Sequence, residues 1–130
     1  FGLAAVARVQ GSGEGAAYAK APGTETALTV AISPPEVLGN PLAPRLPPVD
    51  VYAMGIVMLE ILSGRPAWQG LKPSQVIQLV LNGKRPVIPD WLPKGVVNIV
   101  ESCWAQDPGA RPPFTDVVFA LQREIDHLHV

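Results

Sequence analysis

A glycine-rich run near the start of the chain, Gly11-Ser12-Gly13-Glu14-Gly15-Ala16, has the Gly-x-Gly-x-x-Ala spacing that can hold a dinucleotide. This chemistry needs a strand before the glycines and a helix after them, so that the pyrophosphate meets the helix N-terminus. Residues 6–10 could form a short strand, but no second strand follows and Pro22 would interrupt a helix. A flexible insertion rich in glycine and serine explains the same residues. We favour this interpretation over a dinucleotide-binding loop.

Four Ser and Thr side chains lie between residues 24 and 33, and their hydroxyls could accept a phosphoryl group. A phosphate on any of them would add charge that could order the segment against a basic residue. Thr24, Thr26, Thr29 and Ser33 are the candidates for such phosphorylation. The alternative is that all four are ordinary loop hydroxyls.

The side chains that could bind a metal or form a disulfide are few. Cys103 is the only cysteine, which excludes an internal disulfide and favours a reducing compartment. His127 and His129 are two residues apart, so a helix would direct them to different faces. We therefore predict no metal site, and we interpret Cys103 as a packed thiol on an apolar face.

Composition excludes some classes of partner. The 130 residues carry a formal charge of -1, so there is no basic excess for nucleic acid. The longest apolar run, residues 51–62, is shorter than the roughly 20 residues that span a bilayer, and Glu60 interrupts it. We therefore expect no nucleic-acid and no membrane partner. The chain begins at Phe1, not methionine, and shows no signal-peptide pattern. We therefore expect that an N-terminal part is missing and that the protein is cytoplasmic.

Prolines and glycines divide the chain into short helices. Apolar residues recur at spacings of three and four, and no strand alternation is convincing, so the predicted class is mainly α. We expect residues 1–34 to form a long loop and residues 38–49 to form an irregular, proline-fixed connection. Helices are predicted at 51–62 with Asp50 as N-cap, at 73–82, at about 95–105 and at about 113–127, with one helical turn at 36–38.

Two of these helices carry specific packing predictions. Residues 51–62 are apolar on all sides, which predicts a central helix buried on all sides. Three amphipathic helices could not surround it completely, so part of its packing partners is expected to be missing. The predicted inward face of the last helix consists of Phe114, Val117, Val118, Leu121, Ile125 and Leu128.

Five short motifs occur in order along the chain. They are Phe1-Gly2-Leu3-Ala4, Ser33-Pro34-Pro35-Glu36-Val37-Leu38, Asp50-Val51-Tyr52-Ala53-Met54-Gly55-Ile56-Val57, Ser63-Gly64-Arg65-Pro66-Ala67-Trp68, and Cys103-Trp104 with Asp107-Pro108 and Arg111-Pro112-Pro113-Phe114. Together they resemble the C-terminal lobe of a eukaryotic protein-kinase catalytic domain, from the Phe-Gly of the Asp-Phe-Gly motif onward. The Cys-Trp ending resembles the tyrosine-kinase-like Ser/Thr group. Pro34 replaces the alanine of the Ala-Pro-Glu motif, and Leu28 and Ile32 depart from the family's substrate loop.

The resemblance implies an incomplete helical C-lobe without an N-lobe or catalytic loop. Residues 1–36 would form the activation segment and residues 37–130 the helical C-lobe subdomain. Glu36 and Arg111 would form a buried ion pair, and Asp50 would accept backbone N–H groups from the catalytic loop. The resemblance also implies structural or regulatory roles for Phe1, Gly2 and Trp104, and places Thr29 and Ser33 at the substrate loop.

The resemblance further implies a parent protein that transfers the γ-phosphoryl of ATP to Ser or Thr with the help of Mg²⁺. The chain contains no His-Arg-Asp loop and no Val-Ala-Ile-Lys-like segment, so it is predicted to be inactive alone, with no catalytic, cofactor-binding or metal residue. Its partners would be protein substrates and the N-lobe and catalytic loop of the same kinase. The alternatives are a pseudokinase or truncated docking module using residues 73–82 and 83–93, and an oxidoreductase domain resting on the glycine run.

Overall fold

The computed structural model describes residues 28–128, which are mainly helical. A helical turn at 28–31 is followed by five α-helices: α1 (Pro35–Gly39), α2 (Pro47–Ser63), α3 (Pro73–Leu81), α4 (Lys94–Cys103) and α5 (Phe114–Leu128), with a short 3₁₀ turn, Pro108–Ala110, before α5. Between residues 28 and 128 there is no strand, so the predicted mainly α class is confirmed. The prediction of a loop through residue 34 is wrong for the turn at 28–31, and its earlier part, residues 1–27, lies outside the described residues.

Helix α2 begins four residues earlier than predicted. Its N-cap is Leu46, and Pro47 and Pro48 occupy the first turn, so Asp50 lies inside the helix and is not its N-cap. Proline is tolerated there because the first N–H groups of a helix have no intrahelical partner and the fixed φ is already helical. The predicted irregular connection is therefore wrong from Pro47 onward.

The end of α2 follows the predicted glycine signal. Gly64 has φ +75°, a left-handed conformation that glycine adopts without steric cost, and its N–H donates to the Glu60 carbonyl. The Glu60 side chain also has a structural role, because its Oε2 accepts the Ala67 N–H at 2.9 Å. The one carboxylate in the apolar run thus holds the turn that leaves the helix.

The later helices lie close to their predicted bounds. Helix α3 begins at Pro73, its first turn is held by the Lys72 N–H donating to Gln75 Oε1, and the chain leaves it through Gly83 at φ +82°. Helices α4 and α5 agree with the predictions within about two residues at each end. Prolines at or just before the first residue mark the starts of these three helices, and Gly83 marks the end of α3.

The core forms around α2. From this helix Tyr52, Ile56 and Leu59 are almost completely buried, and they pack with residues of α3, α4 and the connecting loop: Val76, Val80, Leu92, Val100 and Trp104. A second cluster joins α2, α4 and α5 through Val51, Ile99, Cys103 and Val117. Helix α2 is therefore the central helix, as predicted.

Burial of α2 is not complete. Ile61 is 74% exposed and Leu62 is 40% exposed, so the prediction of burial on all sides is wrong for the last turn. The predicted inward face of α5 is also only partly correct. Val117 is buried, whereas Val118, about 100° further around the helix, is exposed together with Ile125 and Leu128.

Between residues 28 and 128 the structure has no helix with the length and apolar character needed to cross a membrane.

A close helix–helix approach at Gly55 gives a prediction about stability. A Cβ at Gly55 would lie 2.8 Å from Cys103 Cβ and 3.4 Å from the Val100 carbonyl oxygen. We expect Gly55→Ala to lower the free energy of unfolding by about 1–3 kcal/mol through overpacking, despite the better helix propensity of alanine. Urea unfolding of the full chain measures the change.

Gly95→Ala is the matched control. A Cβ at Gly95 would meet only the end of the Glu124 side chain, which can rotate away. We expect its free energy of unfolding to stay within about 0.5 kcal/mol of the unsubstituted chain. Equal effects of the two substitutions would show that the contact between α2 and α4 is not tight.

Candidate functional site

A bidentate ion pair joins α1 to the segment before α5. Arg111 Nη1 donates to Glu36 Oε2 at 2.7 Å, and Arg111 Nη2 donates to Glu36 Oε1 at 2.9 Å. The Arg111 side chain is fully buried, and the Glu36 side chain is 27% exposed. The ion pair that the resemblance implies is therefore present, in the planar fork geometry that arginine and a carboxylate favour.

Arg111 also directs two further N–H groups to backbone oxygens. Its Nε donates to the Ala105 carbonyl at 2.9 Å, and its Nη1 donates to the Pro48 carbonyl at 3.0 Å. The Pro48 carbonyl belongs to the first turn of α2, and Ala105 follows α4. One guanidinium therefore ties together α1, the start of α2 and the end of α4.

A second arginine, Arg85, lies near Arg111, and both guanidiniums approach the ring of Tyr52. The guanidinium carbons of Arg85 and Arg111 each lie 5.2 Å from the centroid of the Tyr52 ring. This distance is within the range of cation–π attraction. Burial lowers the pKa of the Arg85 guanidinium, and the neighbouring Arg111 charge also lowers it.

Backbone and amide oxygens hold Arg85 in place. Its Nε donates to the Trp104 carbonyl at 2.8 Å, its Nη2 to Gln106 Oε1 at 2.6 Å, and its Nη1 to the Lys84 carbonyl at 2.7 Å. Trp104, which the resemblance marks as structural, is buried, and its backbone carbonyl is one of these acceptors. The loop after α3 is thus attached to the end of α4.

The Tyr52 hydroxyl is buried and has no hydrogen-bond partner among the described residues. Burial raises the pKa of Tyr52 to about 12, and the nearby Arg85 and Arg111 charges oppose that rise. Burial likewise raises the pKa of the Cys103 thiol to about 11, against a weaker lowering by its hydrogen bond with Ser102. Cys103 is therefore a packed and unreactive thiol, since its thiolate is disfavoured.

These raised pKa values predict a loss of stability at alkaline pH. The unfolded chain releases the Cys103 proton near pH 9 and the Tyr52 proton near pH 10, whereas the folded chain keeps them to about pH 11 and 12. Above pH 9 the unfolded state therefore binds fewer protons, and the free energy of unfolding falls as the pH rises. Urea unfolding between pH 8 and 11 should show this slope, and Tyr52→Phe with Cys103→Ala should flatten it. An unchanged slope in that double variant would contradict the assignment.

A shallow groove lies next to this network. It has a volume of about 470 Å³ and is lined by the loop at 85–92 and by residues of α4, with Arg85 and Trp104 among them. Its charged lining residues are Arg85, Lys94, Asp90 and Glu101, two of each sign. The groove therefore has no net charge that would select an acidic or a basic ligand.

Comparison with known proteins decides the family. The family model described as protein tyrosine and serine/threonine kinase matches residues 10–121. The chain belongs to this protein kinase family. The match includes residues 11–16, so the glycine run belongs to the part of the chain that is similar to protein kinases.

Several curated protein kinases are similar to this chain. A probable serine/threonine-protein kinase of Dictyostelium discoideum is 35% identical over 71 residues, which are 55% of this chain and 5% of that protein. A probable serine/threonine-protein kinase of Arabidopsis thaliana is 31% identical over 99 residues, 75% of this chain and 9% of that protein. A probable inactive serine/threonine-protein kinase of Dictyostelium discoideum is 31% identical over 79 residues, 61% of this chain and 4% of that protein. The chain spans less than a tenth of the length of each of these three relatives.

The predicted substrate-loop residues of this kinase-family chain have different environments. Thr29 is exposed, and its carbonyl accepts the Ile32 N–H at 3.3 Å and the Ser33 hydroxyl at 2.6 Å. Ser33 is only 4% exposed. The Thr29 side chain is therefore exposed, whereas the Ser33 hydroxyl is occupied in holding the helical turn.

The other predicted site residues of the kinase domain are less informative. Asp50 is half-buried in the first turn of α2. Phe1, Gly2, Thr24 and Thr26 lie outside the described residues. No group of three His, Cys, Asp or Glu side chains within residues 28–128 could hold a metal ion.

Sequence reasoning did not find the contribution of Arg85 or Tyr52 to the site. The sequence marks Tyr52 only as part of the motif beginning at Asp50, and Arg85 only as part of the loop after α3. The hydrogen bond from Arg85 to Trp104 joins residues 19 positions apart, so no helical period indicates it. The sequence offers one indication that Arg85 could be partly buried, because the apolar residues Pro86, Val87 and Ile88 follow it directly.

Proposed function

We propose that the intact parent is a serine/threonine protein kinase of the tyrosine-kinase-like group. In this proposal residues 1–36 are its activation segment and residues 37–130 its helical C-lobe subdomain. The observation that carries the proposal is the bidentate Glu36–Arg111 pair, because it joins the Pro-Pro-Glu motif to the segment before the last helix in a chain of the kinase family. The Ser/Thr kinases among its relatives support the choice of substrate hydroxyl.

The chain itself would position the substrate and not perform the transfer. The ion pair would fix the end of the activation segment against α2, and exposed Thr29 would lie on the side that a protein substrate approaches. Asp50 would accept backbone N–H groups of the catalytic loop, which is a role that its half-buried place in α2 permits. In the intact parent, ATP and Mg²⁺ would supply the phosphoryl group and neutralise its charge.

The described residues do not fit a nucleotide–metal site. They contain no metal-binding cluster, and the 130 residues contain neither a His-Arg-Asp loop nor a Val-Ala-Ile-Lys-like lysine. We therefore assign no step of the transfer to this chain and expect it to be inactive when isolated. Cys103 as a free buried thiol is compatible with the cytoplasm, where we place the parent.

The proposal is tested with the intact protein and Mg²⁺-ATP labelled at the γ-phosphate. We expect label on Ser or Thr of a mixed peptide substrate, and loss of labelling when the aspartate expected immediately before Phe1 is replaced by asparagine. Label on Tyr alone would contradict the Ser/Thr assignment. ATP binding without transfer, or no ATP binding, would favour a pseudokinase.

A non-catalytic docking module is the second candidate. The groove of about 470 Å³ beside the loop after α3 and the similarity to a probable inactive kinase favour it. Under this alternative, the parent would bind a protein partner through the groove, and it would lose that partner when Val97, a residue of α4 that lines the groove, is replaced by aspartate. The kinase proposal instead predicts phosphoryl transfer by the intact parent.

A further inference from the structure

Two neighbouring guanidiniums approach the same aromatic ring, and each binds one of two consecutive backbone carbonyls. Arg85, which is half-buried, and Arg111, which is buried, lie at the same distance from the Tyr52 ring centroid, 5.2 Å. Arg85 Nε donates to the Trp104 carbonyl, and Arg111 Nε donates to the next carbonyl, that of Ala105. A displacement of the ring or of the segment 104–105 would therefore move both arginines.

The charges in this cluster do not cancel. The two guanidiniums repel each other, whereas the single carboxylate of Glu36 attracts both: it forms the salt bridge with Arg111 and it also raises the pKa of Arg85. The face of an aromatic ring and carbonyl oxygens carry negative partial charge, which offsets part of that repulsion. Arg85 can therefore remain beside Arg111 only in a geometry that keeps these contacts.

We propose that Arg85 is a positioning residue for the Glu36–Arg111 ion pair, acting through the Tyr52 ring and the carbonyls of residues 104–105. The loop after α3 is then energetically coupled to the Pro-Pro-Glu segment, although no hydrogen bond joins Arg85 to Glu36 among the described residues. The meaning of this connection for substrate binding rests on the proposed kinase function. The connection itself is a property of the folded chain.

A double-mutant cycle in the full chain tests the connection. Glu36→Gln is measured alone, in the Arg85→Met background and in the Lys84→Met background, by urea unfolding. We expect the fold-change in the unfolding equilibrium constant caused by Glu36→Gln to be on the order of tenfold smaller in the Arg85→Met background. Lys84 is an exposed neighbour of the same charge, so its background should leave the effect of Glu36→Gln unchanged.

Two further backgrounds separate positioning from charge. Lysine keeps the charge of Arg85 but cannot reproduce its planar set of donors, so Arg85→Lys should behave as Arg85→Met does. Tyr52→Phe keeps the ring and should retain the coupling. The Arg85→Lys cycle also decides the question if the variant carrying both Glu36→Gln and Arg85→Met does not fold.

The inference is overturned if Glu36→Gln has the same effect in the unsubstituted chain, in the Arg85→Met background and in the Arg85→Lys background. It is also overturned if Arg85→Lys restores the full coupling, because charge alone would then explain it. A failure of the kinase proposal is seen separately, as absence of phosphoryl transfer by the intact parent. The unfolding cycle can succeed or fail whatever that assay shows.

Discussion

Replacing Glu36 by glutamine is expected to lower the free energy of unfolding of the chain by about 3–5 kcal/mol. The substitution keeps the shape of the side chain and removes its charge, while the fully buried Arg111 guanidinium stays charged. An uncompensated buried charge is costly because the protein interior solvates it poorly. Urea unfolding of the full chain at neutral pH measures the loss.

The control for this prediction is Glu101→Gln. Glu101 is an exposed carboxylate on α4, and its neutralisation should change the free energy of unfolding by no more than about 0.5 kcal/mol. Combining Glu36→Gln with Arg111→Met should cost less than the sum of the two single changes, since the double variant no longer buries an unpaired charge. Additive costs, or an effect of Glu36→Gln no larger than that of Glu101→Gln, would show that the pair does not hold the segment in solution.

The second large effect is expected at the centre of α2. Ile56 has no exposed surface and packs in the cluster with Val80, Val100 and Trp104. We expect Ile56→Ala to lower the free energy of unfolding by about 2–5 kcal/mol, because it removes buried methyl groups and leaves a cavity that close packing cannot fill. Thermal and urea unfolding should both report the loss.

Ile61→Ala provides the same chemical change on the same helix. Ile61 is 74% exposed, so little packing is lost, and alanine is the better helix former. Its effect should stay within about 0.5 kcal/mol. A large loss at Ile61 would mean that the last turn of α2 is covered in solution, by another molecule or by residues outside 28–128.

Local signals were sufficient for the later helices. Pro73 begins α3, Gly83 follows its end, and the bounds of α4 and α5 fall near the predicted ones. The same reasoning placed the start of α2 wrongly, because a proline pair can end one element or begin another. Pro47 and Pro48 begin a helix here, and only the packing of α2 against the rest of the core distinguishes the two outcomes.

Prediction of the site residues could not rely on the local signals that predict helix bounds. Glu36 and Arg111 are 75 residues apart, and no periodicity connects them. Their pairing was expected only because both surrounding motifs resemble those of protein kinases. Tyr52 and Arg85 were not predicted as a pair, since stacking of a guanidinium near a ring depends on the tertiary approach of the loop after α3 to α2. The inward face of α5 was partly wrong for a related reason, because an apolar residue does not reveal whether a neighbour exists to cover it.

We propose that this chain forms the substrate-facing and scaffolding part of a serine/threonine protein kinase. The most direct measurement is γ-phosphoryl transfer from Mg²⁺-ATP by the intact protein, compared with transfer by residues 1–130 alone. We expect phosphoserine or phosphothreonine with the intact protein and no transfer with residues 1–130. Transfer by the isolated chain, or failure of the intact protein to phosphorylate any Ser or Thr substrate while folded and bound to ATP, would contradict it.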